Sequence, residues 1–153
     1  MITTSSLTII QILGDVYNRR IRIPDFQRSS VWGPDDVAKL LDSIYKGYPL
    51  GSFLLWETSD ELRERNPLNL SPPPPRPERQ YLIDGQQRTI ALWGVFTDTL
   101  RLGDEKEQKQ YRAYFDLDSQ IDRCPEIGLK WFLFTFHDLR KALGFVSVLD
   151  FFE

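Results

Sequence analysis

The stretch that most constrains the fold is a predicted corner between a strand and a helix at residues 81–89. Residues 81–83 form an apolar run of strand character, and Asp84 and Gly85 separate it from a segment whose apolar residues continue at helical spacing. The first N–H groups of a helix have no internal acceptor and the helix dipole is positive there, so such a corner favours a bound anion, especially phosphate. The residues that follow add three long polar donors: Gln86, Gln87 and Arg88.

The same residues also suit an ordinary turn, with Asp84 as the helix cap and Gly85 as a turn glycine. A second Gln-Arg pair, Gln27-Arg28, lies in a loop of similar character. If the two segments meet, they form a pocket with two guanidinium groups, several amides and free helix N–H groups. That composition favours a phosphate or nucleotide site over a plain turn.

Composition excludes several classes of protein. The chain has 153 residues and is 41% hydrophobic, which predicts one domain with a real core. Its formal charge of −3 excludes a globally basic surface for nucleic acid, although a local basic site stays open. A single cysteine, Cys124, excludes an internal disulfide framework and a cysteine-built zinc site, and is interpreted as a small apolar filler.

No signal peptide is evident, and no apolar run approaches the roughly 20 residues that a membrane span needs, so we expect a cytoplasmic protein without a membrane partner.

Hydrophobic periodicity predicts both helices and strands. Helices are predicted at about 6–18, capped by Ser5 or Ser6, at 34–46 and at 86–99, with a helical turn at 138–143. Strands are predicted at 20–23, half-buried, at 52–57, buried on both faces, and at 79–83, 111–118 and 130–136. Residues 145–149 are predicted to be a further short strand or the start of a helix. The loop at 25–32 is predicted to be anchored by Phe26 and Trp32.

Residues 59–79 differ in composition from the rest, being charged at first and then proline-rich. The unbroken row Pro72–Pro75 favours extended polyproline conformation and excludes helix. We interpret the segment as a surface insertion between two adjacent strands, with a partner-binding proline motif as the alternative.

Two further sets of residues have a possible chemical role and a plainer alternative. Asp116 and Asp118 would point to one face of a strand and could bind a cation, or form a polar strand end. His137 is interpreted as a structural or surface histidine, because no Ser, Cys or metal-ligand cluster accompanies it.

Several motifs in this order resemble a known family. They are Ile23-Pro24-Asp25-Phe26-Gln27-Arg28, then Trp32, residues 41–51, and Asp84-Gly85-Gln86-Gln87-Arg88. Together they resemble the N-terminal domain family of GmrSD-type modification-dependent restriction systems and, more distantly, the ParB and sulfiredoxin superfamily. The match covers about residues 6 to 100, and the combined motifs are specific.

The resemblance implies an α+β fold in which a small mixed sheet is flanked by helices. It also implies one ParB-like nucleotide-binding domain over residues 1–153, with its core at about 6–118. We expect the chain to be a fragment or the N-terminal part of a longer protein.

The resemblance further implies that the site holds a nucleoside triphosphate with Mg²⁺ and hydrolyses it. Arg28 and Arg88 would neutralise phosphates, and Asp84 would polarise water or reach the metal. The implied catalytic residues are Asp84, Gln87 and Arg88. The implied binding residues are Gln27, Arg28, Pro49, Gly51, Ser52, Gly85, Gln86 and Arg88.

Nucleotide hydrolysis would regulate DNA cleavage in defence against phage. Complete family members cut DNA with a His-Asn-His nuclease domain, which this chain cannot carry because its one histidine is His137. DNA would therefore be reached through a separate nuclease domain or partner. The alternatives are a switch that binds a nucleotide or DNA phosphate without hydrolysis, and a ParB-like direct nuclease, which the acidic total charge disfavours.

Overall fold

The computed structural model describes residues 2–72, 79–103, 108–116, 131–135 and 145–147, with side chains described as far as Phe115. The predictions for Asp118, Cys124, His137, the helical turn at 138–143 and prolines 73–75 lie outside the described residues.

Described helices and strands make an α+β fold, as predicted, and the fold is compatible with a ParB-like one. The helices are α1 (Ile9–Tyr17), α2 (Pro34–Tyr45) and α3 (Gln86–Phe96). The strands are β1 (Ile21–Pro24), β2 (Leu54–Thr58), β3 (Glu64–Arg65), β4 (Arg79–Asp84), β5 (Arg101–Leu102), β6 (Lys109–Asp116), β7 (Trp131–Thr135) and β8 (Phe145–Ser147). In the part of the chain that the structure describes, no helix has the length and apolar character needed to cross a membrane.

Contacts divide the chain into two compact units. Unit 1 contains Met1–Ser29 and Ser52–Thr89, and unit 2 contains Ser30–Gly51 and Ile90–Glu153. The single domain over residues 1–153 stays a prediction.

Unit 1 is built on a small mixed sheet in the order β2-β4-β1-β3. The two inner strands, β1 and β4, are parallel, with Ile21 opposite Gln80 and Arg22 opposite Tyr81. β2 pairs antiparallel with β4, and β3 pairs antiparallel with β1. Because β1 and β4 are parallel neighbours, the segments that follow them leave from the same edge of the sheet.

Apolar side chains of α1, β1 and β4 form the core of unit 1. The buried residues are Ile12, Val16, Ile21, Ile23, Tyr81 and Leu82. α1 is capped by Thr8, whose hydroxyl accepts from the Gln11 N–H at 3.2 Å while the Gln11 side chain accepts from the Thr8 N–H at 2.8 Å. This reciprocal capping box fixes the helix start at Thr8, so the predicted cap at Ser5 or Ser6 is wrong.

Burial differs from prediction on two strands of this sheet. All four residues of β1 are buried, and Arg22 is only 3% exposed, so the strand is not half-buried. Conversely β2, predicted to be buried on both faces, lies at the edge of the sheet with Leu54 54% and Trp56 44% exposed. Position in the sheet explains both results, because an inner strand is covered and an edge strand is not.

The segment at 59–79 is partly integrated into the sheet. As predicted, it connects two strands that are neighbours, because β2 pairs with β4. Within it, however, Glu64 and Arg65 form β3, which extends the sheet beyond β1. The sequence gives no sign of this strand, because two charged residues carry no strand periodicity.

Unit 2 contains α2, most of α3 and a second sheet in which β6 pairs antiparallel with β5, β7 and β8. The strands predicted at 111–118 and 130–136 are confirmed as β6 and β7 within the described residues. Of the two alternatives for residues 145–149, the structure has the strand, β8. α2 begins at Pro34 and ends at Lys46 and Gly47, as predicted. Its predicted buried face holds at Val37, Leu40 and Leu41, but Tyr45 is exposed.

Candidate functional site

The predicted corner is present where β4 passes into α3. β4 ends at Asp84, Gly85 has a φ of 101°, and α3 begins at Gln86. The Thr89 N–H donates to the Gly85 carbonyl at 2.9 Å, and the Thr89 hydroxyl donates to the same oxygen at 3.0 Å. Thus the first turn of the helix is fixed by main-chain and side-chain bonds at once.

Gly85 is required at this corner for two reasons. Its positive φ lies in the region that favours glycine. A Cβ at this position would also overlap the ring of Phe53, with one ring carbon at 2.9 Å. The sequence predicted the turn glycine but not its contact with Phe53, an aromatic residue that follows the predicted site residue Ser52.

Arg88 is held at the corner by three different partners. Its guanidinium donates to the Ser52 carbonyl at 2.7 Å and to Asp84 Oδ2 at 3.3 Å. It also lies over the Phe53 ring, 4.6 Å from the ring centroid. Three predicted site residues, Ser52, Asp84 and Arg88, are therefore brought together.

The loop after β1 meets the corner after β4. The Gln27 side-chain amide donates to the carbonyl oxygens of Leu82 and Ile83, the latter at 3.0 Å. From the helix side, the Gln87 amide donates to the Ser29 carbonyl at 3.4 Å. The meeting of the two Gln-Arg segments, which the sequence left conditional, is confirmed for Gln27 and Gln87.

These bonds give Gln27 and Gln87 a structural role that the sequence did not predict. Each uses its N–H₂ group to hold main-chain carbonyls, which fixes the loop at 25–29 against β4 and α3. Their predicted contacts with phosphate or water stay predictions. The predicted anchoring of the loop by Phe26 is wrong, because Phe26 is 64% exposed; polar contacts hold the loop instead.

Two predicted site residues keep their polar groups available within the described part of the chain. Gln86, the first residue of α3, is only 7% exposed, yet its side-chain amide forms no hydrogen bond with any described residue. The amide at the start of α3 is therefore free of bonds to the described residues, and its contact with a ligand stays a prediction. Arg28 is exposed and forms no hydrogen bond or ion pair among the residues described.

The remaining predicted site residues, and the predicted metal, are not tested by the contacts of unit 1. Pro49 and Gly51 belong to unit 2, and their part in the site stays a prediction. For the described residues, no group of three or more His, Cys, Asp or Glu side chains could hold a metal ion. Asp84 alone, exposed beside Arg88, fits Mg²⁺ only if phosphate oxygens and water supply most of the ligands, as is usual for magnesium with nucleotides.

A second cluster of charged side chains in unit 1 was missed by sequence reasoning. Glu64 of β3 accepts from Arg19 at 2.7 Å through one oxygen and from Arg22 at 2.7 Å through the other. Both arginines are buried, and the Arg22 Nε also donates to the Arg19 carbonyl at 3.4 Å. One carboxylate thus joins β3 to β1 and to the end of α1.

Comparison with known proteins identifies a family for this chain. The family described as the GmrSD restriction endonuclease N-terminal domain matches residues 9–143. The chain belongs to this GmrSD family. It is also similar to the uncharacterized protein MJ0686 of Methanocaldococcus jannaschii, with 26% identity over 123 residues, 74% of this chain and 21% of that protein. The chain therefore spans about a fifth of that relative's length.

Proposed function

We propose that this GmrSD-family chain binds a nucleoside triphosphate at the loop after β1 and the corner after β4, and hydrolyses it with Mg²⁺. The observation that carries the proposal is the meeting of Gln27 with the end of β4, which brings two Gln-Arg segments to one edge of the sheet. In open sheets, ligands bind outside the carboxyl ends of parallel strands, which is where these segments lie.

The charges and amides at this edge favour a polyphosphate. Arg28 and Arg88 carry two positive charges against the one carboxylate of Asp84. The N-terminus of α3 adds its dipole and the side-chain amide of Gln86. An anion with several negative charges would balance this arrangement better than a single carboxylate or a neutral ligand.

We assign the residue roles from their contacts. Arg28 would bind phosphate directly, and Arg88, fixed by Ser52 and Phe53, would stabilise charge from a set position. Asp84 would orient water or reach Mg²⁺ held by the phosphates. The other proposed contributors are Gln27, Pro49, Gly51, Ser52, Gly85, Gln86 and Gln87.

Family membership supports a regulatory role in a restriction system that defends the cell against phage. Hydrolysis here would control DNA cleavage by a separate nuclease domain or partner. We propose the cytoplasm as the location, since that is where such a system meets foreign DNA.

The test is a melting-temperature and phosphate-release panel over the four ribonucleoside triphosphates, with and without Mg²⁺. We expect at least one nucleotide to raise the melting temperature and to release phosphate. Arg28→Ala should weaken binding about tenfold or more, because a charge-assisted hydrogen bond contributes roughly 1.5–3 kcal/mol. Its nucleotide-free melting temperature should not change, since Arg28 is exposed.

The matched control is Arg20→Ala, which removes another exposed arginine of unit 1, paired only with Asp15 at 3.1 Å among the residues described. It should leave binding unchanged. A protein that shows no melting shift with any nucleotide contradicts the proposal. Phosphate release that survives both Arg28→Ala and Asp84→Ala contradicts catalysis at this site.

One observation favours a second candidate, a switch that binds nucleotide without hydrolysing it. The Asp84 carboxylate is ion-paired with Arg88, and the Gln87 amide is bonded to the Ser29 carbonyl, so all three proposed catalytic groups already have protein partners. A melting shift with phosphate release at background would select the switch.

A further inference from the structure

The segment at 59–79 contains a residue that hydrogen-bonds the loop in which Arg28 lies. Arg65, in β3, donates through Nη1 to the Gln27 carbonyl at 2.9 Å and through Nη2 to the Ser29 hydroxyl at 2.9 Å. The two acceptors lie one residue before and one residue after Arg28. A single guanidinium fork therefore holds the loop on both sides of the arginine proposed to bind phosphate.

The sheet fixes the position of this fork. β3 pairs antiparallel with β1, and Arg65 lies opposite Ile23, just before the loop begins. The Asp25 N–H also donates to the Arg63 carbonyl at 2.9 Å, which extends the attachment into the start of the loop. The half-buried Arg65 thus acts from a rigid base on a loop that otherwise exposes Phe26 and Arg28.

We propose that Arg65 is a positioning residue for the phosphate site. It holds the loop at 25–29 in the geometry that presents Arg28, without itself touching the nucleotide. This inference rests on the proposed nucleotide-binding function. Its physical basis is preorganisation: a loop already fixed in its binding shape loses less conformational freedom when the ligand arrives.

Two measurements test the proposal on the full chain. Hydrogen exchange of peptides covering residues 25–29, without nucleotide, reports loop order, and titration with the triphosphate that binds the wild type reports affinity. We expect Arg65→Ala to speed exchange in these peptides and to raise Kd about tenfold or more. Exchange in α1, which precedes β1 in the chain, should change much less.

Two further variants distinguish the effect of the planar guanidinium group of Arg65 from the effect of its positive charge. Arg63→Ala removes an equal charge two residues away; its side chain is 91% exposed and meets Asp25 at 3.4 Å. It should leave exchange and Kd close to wild type. Arg65→Lys keeps the charge but replaces the planar fork with a compact ammonium, so it should restore Kd only in part.

Each result has a defined meaning. Unchanged exchange in Arg65→Ala refutes the positioning role, and faster exchange with unchanged Kd refutes its link to the site. Full restoration by Arg65→Lys shows that charge alone is needed and also refutes it. If Arg65→Ala does not fold, Ser29→Ala, which removes one acceptor, should raise exchange and Kd by a smaller factor, and no change in either overturns the proposal.

A wild-type protein that binds no nucleotide refutes the proposed function and the link of Arg65 to a nucleotide. The exchange measurement then still decides whether Arg65 fixes the loop, so the two failures are distinguishable.

Discussion

Unit 1 contains two groups of arginines that differ in burial and in hydrogen-bond partners. Arg19 and Arg22 are buried and share the carboxylate of Glu64. Arg65 and Arg88 are less deeply buried, and each donates to a main-chain carbonyl, that of Gln27 and that of Ser52. Arg88 of the second group also pairs with a carboxylate, that of Asp84, but at 3.3 Å rather than the 2.7 Å of the two Glu64 pairs.

This difference suits a structural role for the first group. An arginine that meets a carboxylate has much of its charge neutralised, which suits a buried position. A main-chain carbonyl fixes the geometry of a guanidinium group without adding a negative charge. Two bonds of Arg65 go to the residues on either side of Arg28, which is exposed.

The largest expected effect is on the first group. Glu64→Gln keeps the shape of the side chain but leaves Arg19 and Arg22 buried without a counter-charge. We expect a loss of about 3–5 kcal/mol in the free energy of unfolding, measured by urea denaturation. Glu57→Gln is the control, because Glu57 is exposed on β2 and accepts from Gln80 at 3.0 Å. Equal, small losses in both variants would remove the distinction between the two groups.

An intermediate effect is expected at the corner where Arg88 of the second group lies. Gly85→Ala places a β-carbon in a left-handed conformation and against the Phe53 ring, which should cost about 2 kcal/mol in the free energy of unfolding. Gly14→Ala, in α1, is the matched glycine control because a Cβ there meets nothing within 4 Å. It should stabilise by roughly 0.5–1 kcal/mol. If Gly85→Ala left the free energy of unfolding unchanged, the backbone at the corner would adjust to a side chain without strain.

The smallest effect concerns the aromatic partner of Arg88. Phe53→Leu removes the ring beneath the guanidinium and should lower the free energy of unfolding by about 1 kcal/mol, from the lost cation–π contact and part of the packing. The exposed Phe26 gives the comparison, since Phe26→Leu should leave thermal unfolding unchanged. Loss of the same size in both would mean that the ring contributes nothing specific to Arg88.

Local features of the fold and the site could be predicted from sequence. The corner at Asp84 and Gly85 was evident because an apolar strand, a turn glycine and a helical pattern follow one another directly. The start of α2 was evident for a similar reason, since Pro34 follows Gly33 and two carboxylates come next. In each of these places the deciding interactions are between near neighbours in sequence.

Features that depend on distant partners could not be predicted. Arg22 reads as the exposed position of an alternating strand, and only Glu64, 42 residues further on, explains its burial. The apolar run of β2 reads as an inner strand, but strand order in the sheet places it at the edge. Likewise the contacts of Arg65 and Phe53 could not be predicted, because their partners are distant in sequence and meet them only in the folded chain.

The parallel pairing of β1 with β4 has a consequence for how this protein is made. The contact from Gln27 to Leu82 spans 55 residues, so a growing chain completes the first Gln-Arg segment long before its partner exists. Closing so long a loop is entropically unfavourable until the sheet forms, so the two Gln-Arg segments meet only when β1 and β4 have paired. Because a ligand stabilises only the form that binds it, nucleotide would select chains whose inner strands have already paired.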